Sequence, residues 1–185
     1  MPQVVPLVLK VPVSIVVIGD TGLEPHSLRA VLESFNYRVE IHWVGSRAEA
    51  LEIFRGAIPT FDHLIVSCHG DPEVPGGAIL VPDEDPISAA DLTGRVHLPG
   101  KTVLNLGCGL GTLELARAFL GGGCAAYIGA SDYVEGNSAV FFAIHLYYFL
   151  TTPNRLPLGE AITRARSFDA ECGLFNGFVP PVETA

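Results

Sequence analysis

The segment from Lys101 to Thr112 reads KTVLNLGCGLGT, an apolar strand that runs into a glycine-rich turn carrying one cysteine. A continuous apolar run of this kind is typical of a strand buried on both faces of a parallel sheet. The glycine-rich turn that follows is compatible with two functions. It either cradles a nucleotide-like cofactor at the start of the next helix, or it presents Cys108 as a nucleophile at the end of the strand. The rest of the chain must distinguish these uses.

Strand-like and helix-like segments alternate along the chain. The predicted strands are VSIVVIG from residue 13, RVEIHWV from 38, DHLIVS from 62, KTVLNLG from 101 and CAAYIGA from 124, with a hairpin arm at 76–81 and an edge strand in GLFNGFV from 173. Among the helices between them, Ser46 is the predicted N-cap of one, and Asn137 or Ser138 is that of the long helix ending near Leu150. This alternation predicts an α/β fold, with a mostly parallel central sheet flanked by helices, in a single domain covering residues 1–185.

Composition excludes several classes of function. The chain has 185 residues, a net charge of −9 and only 11 Lys and Arg, so nucleic acid is not an expected partner. No apolar run reaches the roughly 18 residues that a membrane-spanning helix needs, and the proline-interrupted N-terminus lacks a leader pattern. The four cysteines have neither Cys-x-x-Cys spacing nor disulfide-scaffold density. We therefore expect a cytoplasmic protein with reduced thiols, no metal, no cofactor and no membrane association.

The cofactor use of the turn corresponds to an S-adenosylmethionine-dependent methyltransferase. Its glycines would hold the cofactor, and Asp132 lies 21 residues beyond Gly111, close to the usual spacing of about 20 for a ribose-binding acid. In that family, however, the turn follows the first strand of the sheet, whereas at least three predicted strands precede Cys108. The strand order therefore favours the other use, and the methyltransferase stays as an alternative.

The hypothesis that Cys108 is a nucleophile depends on residues at the ends of two predicted strands. The segment IVSCHG places His69 at the end of one strand, and LNLGCG places Cys108 at the end of another. If the two strands are neighbours, about 4.8 Å apart, both side chains open into one cleft at the carboxyl edge of the sheet. A thiol beside an imidazole is the arrangement of a cysteine nucleophile and its general base. Cys68 precedes His69 in its strand and is expected on the opposite face, in the core.

These segments resemble a known family. The pair SCHGD and NLGCGLG is similar to the His-Gly and Cys-Gly motifs of caspase-like cysteine peptidases, closest to the bacterial CHAT-type branch. The stretch DTGLEPHSLRAVLESFNYRVE resembles their first strand and helix, and AYIGASDYVEGNSAVFFAIHLYYFL with LPLGEAITRAR resembles the segment after their cysteine. The resemblance covers most of the chain and implies a caspase-like three-layer sandwich.

The resemblance also implies chemistry. It makes Cys108 the nucleophile and His69 the acid or base of a cysteine endopeptidase, with the amides of Gly70 and Cys108 as the oxyanion hole. It implies a peptide or protein substrate and is compatible with a regulatory protein partner. A noncatalytic caspase-like interaction module remains an alternative.

The substrate-binding residues follow less directly from the family pattern. Relatives that cleave after Arg or Lys often carry Asp one or two residues before the cysteine, where this chain has Leu106 and Gly107. Asp132, after YIGA, or Asp20, beside the first strand, would then supply an anionic S1 pocket. A small or apolar residue at the cleavage position is equally open.

Overall fold

The computed structural model describes residues 10–151 and 155–180. Six strands form the main sheet: β1 (Val11–Ile18), β2 (Tyr37–Val44), β3 (His63–Cys68), β6 (Thr102–Asn105), β7 (Ala126–Ala130) and β8 (Phe175–Phe178). Two short strands, β4 (Ala78–Ile79) and β5 (Ile87–Ser88), pair as a separate antiparallel hairpin. The helices are α1 (Glu24–Ser34), α2 (Arg47–Phe54), α3 (Ala89–Leu92), α4 (Leu113–Gly121), α5 (Gly136–Leu150) and α6 (Leu158–Arg166).

The strand order in the main sheet is β2-β1-β3-β6-β7-β8. The first five strands are parallel, and β8 pairs with β7 antiparallel at one edge. The α/β class, the mostly parallel sheet and the C-terminal edge strand are therefore confirmed. The strands β3 and β6, whose adjacency the nucleophile hypothesis requires, are paired directly, with His63 opposite Thr102 and Val66 opposite Asn105.

Helices cover both faces of this sheet, and each face has its own core. Alternate residues of β1 point to opposite faces because successive side chains of a strand alternate. Val13, Ile15 and Val17 pack with α1, α5 and α6, whereas Val16 and Ile18 pack with α2, α3 and α4. The result is the predicted three-layer arrangement of helices, sheet and helices.

The first residues of α2 and α5 can be compared with the N-caps predicted from the sequence. The side chain of Ser46 accepts a hydrogen bond from the backbone N–H of Glu49, as predicted for the start of α2. The prediction for α5 is wrong, because its N-cap is Glu135 and no side chain caps it locally. Ser138 donates to Asp169 instead, and the backbone N–H of Glu135 donates to the carboxylate of Glu171. The N–H of the N-cap residue thus has its acceptor on a residue distant in the sequence, which a local sequence pattern cannot reveal.

Among the described residues, no helix combines the length and the apolar character needed to cross a membrane.

Candidate active site

His69 follows β3 directly, at the carboxyl edge of the sheet, and its side chain is exposed. The ring Nε2 lies 2.7 Å from the carbonyl oxygen of Asp20, which belongs to the turn after β1. Because a carbonyl only accepts, Nε2 must carry the proton. In the neutral imidazole, Nδ1 is then the atom with a free lone pair. The contact thus orients the ring and selects the tautomer in which Nδ1 can take a proton.

Cys108 lies in the turn between β6 and α4 and is half-buried. Its Sγ is 3.5 Å from the carbonyl oxygen of Val134, to which the thiol donates, and 3.4 Å from the backbone nitrogen of the same residue. Val134 belongs to the loop that joins β7 to α5. A backbone N–H directed at sulfur stabilises negative charge that develops there.

A cleft of about 310 Å³ contains both side chains. The residues that line it come from the ends of β1, β3 and β6 and from the starts of α1 and α5: Asp20, Thr21, Gly22, Glu24, Cys68, His69, Leu106, Gly107, Cys108, Val134, Gly136 and Ala139. Within the described part of the chain, no hydrogen bond joins the ring of His69 to the sulfur of Cys108. The structure therefore brings the two predicted residues into one cleft without a hydrogen bond between their described side chains.

The two turns that carry His69 and Cys108 pack closely against each other. A Cβ on Gly70 would collide with the carbonyl oxygen of Cys108 and with the side chain of Leu110. Gly70 also faces Ile79 of the hairpin in an isolated antiparallel bridge, flanked by bonds from the N–H groups of Leu80 and Asp71. Its own N–H takes no part in that ladder. Among the described residues, the amides of Gly70 and Cys108 have no acceptor, as an oxyanion site requires before substrate binds.

Asn105 joins the two strand ends below the cleft and is fully buried. Its Oδ1 accepts from the thiol of Cys68 at 3.3 Å and from the backbone N–H of Gly107 at 3.3 Å. One oxygen thus ties the residue before His69 to the residue before Cys108. Cys68 packs in the core on the α2–α4 face, and Cys108 packs against the other core.

The two carboxylates predicted for substrate binding have different positions. Asp20 lines the cleft, and its Oδ1 accepts from the backbone N–H of Gly22 at 2.9 Å. Asp132 lies beside the Cys108 turn, because its carbonyl accepts from the N–H of Gly109 at 3.1 Å. Its carboxylate, however, accepts from the N–H of Tyr133 at 2.8 Å, and Asp132 is not among the residues that line the cleft.

Glu24 is a cleft residue that the sequence analysis missed. It starts α1, and its Oε1 accepts from the hydroxyl of Ser67 at 2.6 Å. Burial raises the pKa of the Glu24 carboxyl, while the Ser67 hydrogen bond and the nearby His69 charge act in the opposite direction. An acidic residue in the first turn of a helix is ordinary, so its position in the sequence carried no signal.

The glycines of the Cys108 turn are used in packing between chain segments. A Cβ on Gly109, whose φ is +67°, would collide with Pro72, and one on Gly111 would collide with the carbonyl of Gly129. The turn also follows the fourth strand of the main sheet along the chain, not the first. Both features disfavour the cofactor cradle of a methyltransferase. Within the described residues, no group of three or more His, Cys, Asp or Glu could hold a metal ion.

Comparison with known proteins shows a likeness of fold. No family model matches the sequence, and no curated protein matches it. The chain superposes on the crystal structure of the Saccharomyces cerevisiae separase–securin complex at 2.6 Å resolution with a TM-score of 0.61 and 13% identity, covering 94% of this chain and 12% of that one. For the same complex at 3.0 Å the TM-score is 0.60, with 13% identity and coverages of 93% and 12%. The protein thus has the caspase-like α/β fold of separase and spans a small part of that chain's length.

Proposed function

We propose that this protein is a cysteine endopeptidase in which Cys108 is the nucleophile and His69 the general base and acid. The observation that carries the proposal is the shared cleft, in which His69 and Cys108 extend from the ends of two paired parallel strands. The contact of 2.7 Å between Nε2 of His69 and the Asp20 carbonyl supports it, because Nδ1 is left as the proton acceptor. The caspase-like fold supports it further.

In the proposed reaction, His69 takes the proton of the Cys108 thiol as the sulfur attacks the carbonyl carbon of the substrate. The resulting oxyanion is stabilised by the backbone N–H groups of Gly70 and Cys108. Its collapse breaks the C–N bond, and His69 gives its proton to the departing amine. A water molecule, deprotonated by His69, then attacks the thioester, which releases the acid and restores the thiol.

We propose that Asp20 selects a cationic side chain next to the bond that is cleaved. Asp20 is the predicted substrate-binding carboxylate that lines the cleft, and no Lys or Arg is among the described residues of that lining. A carboxylate without a cationic partner favours a Lys or Arg side chain of the substrate. Asp132 would contribute only if substrate binding turned its carboxylate away from the Tyr133 amide.

The proposal includes the setting of this activity. The four cysteines are free thiols, which supports a reducing compartment such as the cytoplasm. Two solved structures that resemble this chain are complexes of separase with securin, and by analogy we propose that a regulatory protein binds here. We also propose that residues 1–185 form one domain, of the CHAT type, built around the single six-stranded sheet.

A noncatalytic interaction module is the second candidate. The observation that favours it is the hydrogen bond from the Cys108 thiol to the Val134 carbonyl, since a thiol held by a backbone acceptor is not held by its base. For the peptidase to act, the thiol proton must rotate away from Val134 toward His69.

The deciding experiment is intact-protein mass spectrometry after brief exposure to iodoacetamide and to a panel of peptidyl chloromethylketones near neutral pH. We expect fast single-site labelling of the wild type, none at position 108 in Cys108→Ala, and labelling slowed about 10²-fold or more in His69→Ala. Cys172→Ala is the matched control, because it removes a buried thiol that does not line the cleft. Labelling at the rate of an ordinary thiol that His69→Ala leaves unchanged would favour the interaction module.

A further inference from the structure

We propose that Glu24 is a positioning residue for His69, holding an anionic charge beside the imidazole so that the imidazolium of a His69–Cys108 ion pair is stabilised. The inference rests on the proposed peptidase function and adds a third side chain to its dyad.

The geometry begins with three contacts between the β1–α1 segment and the end of β3. The carbonyl of Asp20 accepts from His69, the hydroxyl of Thr21 lies 2.7 Å from that of Ser67, and Ser67 donates to Glu24 at 2.6 Å. Thr21, Ser67 and Glu24 thus form a hydrogen-bonded chain whose middle member, Ser67, lies two residues before His69. Ser67 is fully buried, whereas Thr21 and Glu24 are half-buried.

The donor of each hydrogen bond in this chain can be assigned, because each hydroxyl group has a single proton to donate. The one hydroxyl proton of Ser67 is donated to the carboxylate of Glu24, so the hydroxyl of Thr21 must be the donor to Ser67. The hydroxyl of Ser67 therefore points at Glu24 and that of Thr21 points at Ser67, an arrangement that favours the ionised carboxylate. The same bond joins the start of α1 to the end of β3, which His69 follows.

Glu24 and His69 line the same cleft, and the charge of one acts on the other. Burial raises the pKa of Glu24, and the hydrogen bond from Ser67 and the charge of His69 oppose this rise. Attraction between two groups is mutual, so an ionised Glu24 favours a protonated His69. The other titratable groups that line the cleft with His69 are Asp20, Glu24, Cys68 and Cys108. Glu135 lines the adjoining cavity. Three further carboxylates, those of Asp71, Glu73 and Asp132, act on Tyr133, as does Cys108.

The other use of Glu24 would be to bind a cationic group of the substrate. Glu24 also lines an adjoining cavity of about 410 Å³ between the first turns of α1 and α5. The two uses differ in one respect that can be measured. A positioning role acts on Cys108 before any substrate is present, whereas a binding role appears only with a cationic substrate.

The test is the rate at which uncharged iodoacetamide alkylates Cys108 in the full chain, followed between about pH 5 and pH 9, where imidazoles and thiols titrate. In Glu24→Gln we expect alkylation near neutral pH to slow about three- to tenfold and its rising limb to move to higher pH. Ser67→Ala should shift the profile in the same direction by less. Glu135→Gln, which removes the same charge from the adjoining cavity, should leave the profile unchanged.

The possible failures are distinguishable. Alkylation of the wild type that does not depend on His69 would overturn the peptidase proposal itself. Alkylation that depends on His69 but is the same in wild type and Glu24→Gln would overturn only the positioning role. A Glu24→Gln effect confined to the hydrolysis of peptides with Lys or Arg would likewise overturn it and assign Glu24 to substrate binding. Circular dichroism and urea unfolding of each variant verify that it is folded.

Discussion

Nε2 of His69 lies 2.7 Å from the main-chain carbonyl oxygen of Asp20, so the backbone of one strand end orients the imidazole of another. The two strands, β1 and β3, are paired in parallel from Val13 and His63 to Ile18 and Cys68. That register brings both C-terminal ends to the same level of the sheet. The hydrogen bond uses no side-chain atom of Asp20, whose carboxylate lines the cleft and accepts from the N–H of Gly22.

This division of roles within Asp20 is testable with Asp20→Asn, which keeps the carbonyl and removes the charge. For peptides with Lys or Arg at the cleavage position, we expect KM to rise about tenfold through loss of a charge-assisted contact. A matched peptide with a neutral residue there serves as the reference. Steady-state kinetics on both peptides provide the measurement, and an equal rise in KM for the two would argue against a cationic S1 pocket.

Thiol selectivity follows from burial. Burial raises the pKa of Cys68, and it raises the pKa values of Cys124 and Cys172 to about 12. Because only a thiolate is alkylated at a useful rate, we expect iodoacetamide to label Cys108 alone in the native protein below about pH 9. All four cysteines should react in concentrated urea. Peptide mapping after each treatment is the measurement, and native labelling of Cys68 would show that the cleft opens into the core.

Gly70 tests how tightly the two turns must pack. In Gly70→Ala the new methyl group meets the carbonyl oxygen of Cys108 and Leu110. We expect the free energy of unfolding to fall by about 1–3 kcal/mol and the alkylation of Cys108 to slow. Gly159→Ala is the control, since Gly159 in α6 has open space around its Cβ position, and it should gain about 0.5–1 kcal/mol. Equal stability of the two variants in urea would contradict the packing described.

Asn105 offers a second test of the support below the cleft. In Asn105→Ala the N–H of Gly107 and the thiol of Cys68 lose their common acceptor in a buried position. We expect unfolding in urea to require about 2 kcal/mol less free energy. Asn137→Ala is the comparison: Asn137 is exposed and does not cap α5, so its effect should stay within about 0.5 kcal/mol. A larger loss in Asn137→Ala would revive the capping prediction.

We expect the ionised carboxylate of Glu24 to lower the free energy of unfolding by a measurable amount. Its pKa is raised in the folded protein, so the folded state binds the proton more tightly than the unfolded state does. The stabilising effect of that proton is complete below the ordinary carboxyl pKa of about 4 and is lost as pH rises through the raised value. Glu24→Gln keeps an acceptor for Ser67 without the buried charge.

We therefore expect Glu24→Gln to be at least as stable as the wild type at neutral pH, with the difference disappearing in acid. Urea unfolding at several pH values is the measurement. A variant less stable than the wild type at neutral pH would indicate that attraction to His69 outweighs the cost of burial.

Much of the architecture could be predicted from local patterns. The apolar runs at 13–19, 62–67 and 101–107 predicted buried strands, which the structure has as β1, β3 and β6. Such runs are informative because a strand covered on both faces needs apolar side chains at every position. The sequence placed His69 and Cys108 at strand ends on one edge of the sheet, and the structure supplied the pairing of β3 with β6 on which their common cleft depends.

Tertiary structure decided the features that depend on residues distant in the sequence. The start of α5 is satisfied by Glu171 and not by Asn137 or Ser138, and Glu24 reaches the cleft because Ser67 holds it there. The carboxylate of Asp132 faces its own turn, although its position after β7 suggested the cleft. Periodicity and turn chemistry are encoded in neighbouring residues, so the sequence by itself determined the layers, the strand ends and the Cys–His pair. Side-chain direction, burial and hydrogen-bond partners depend on segments brought together by folding, and only the folded chain decides them.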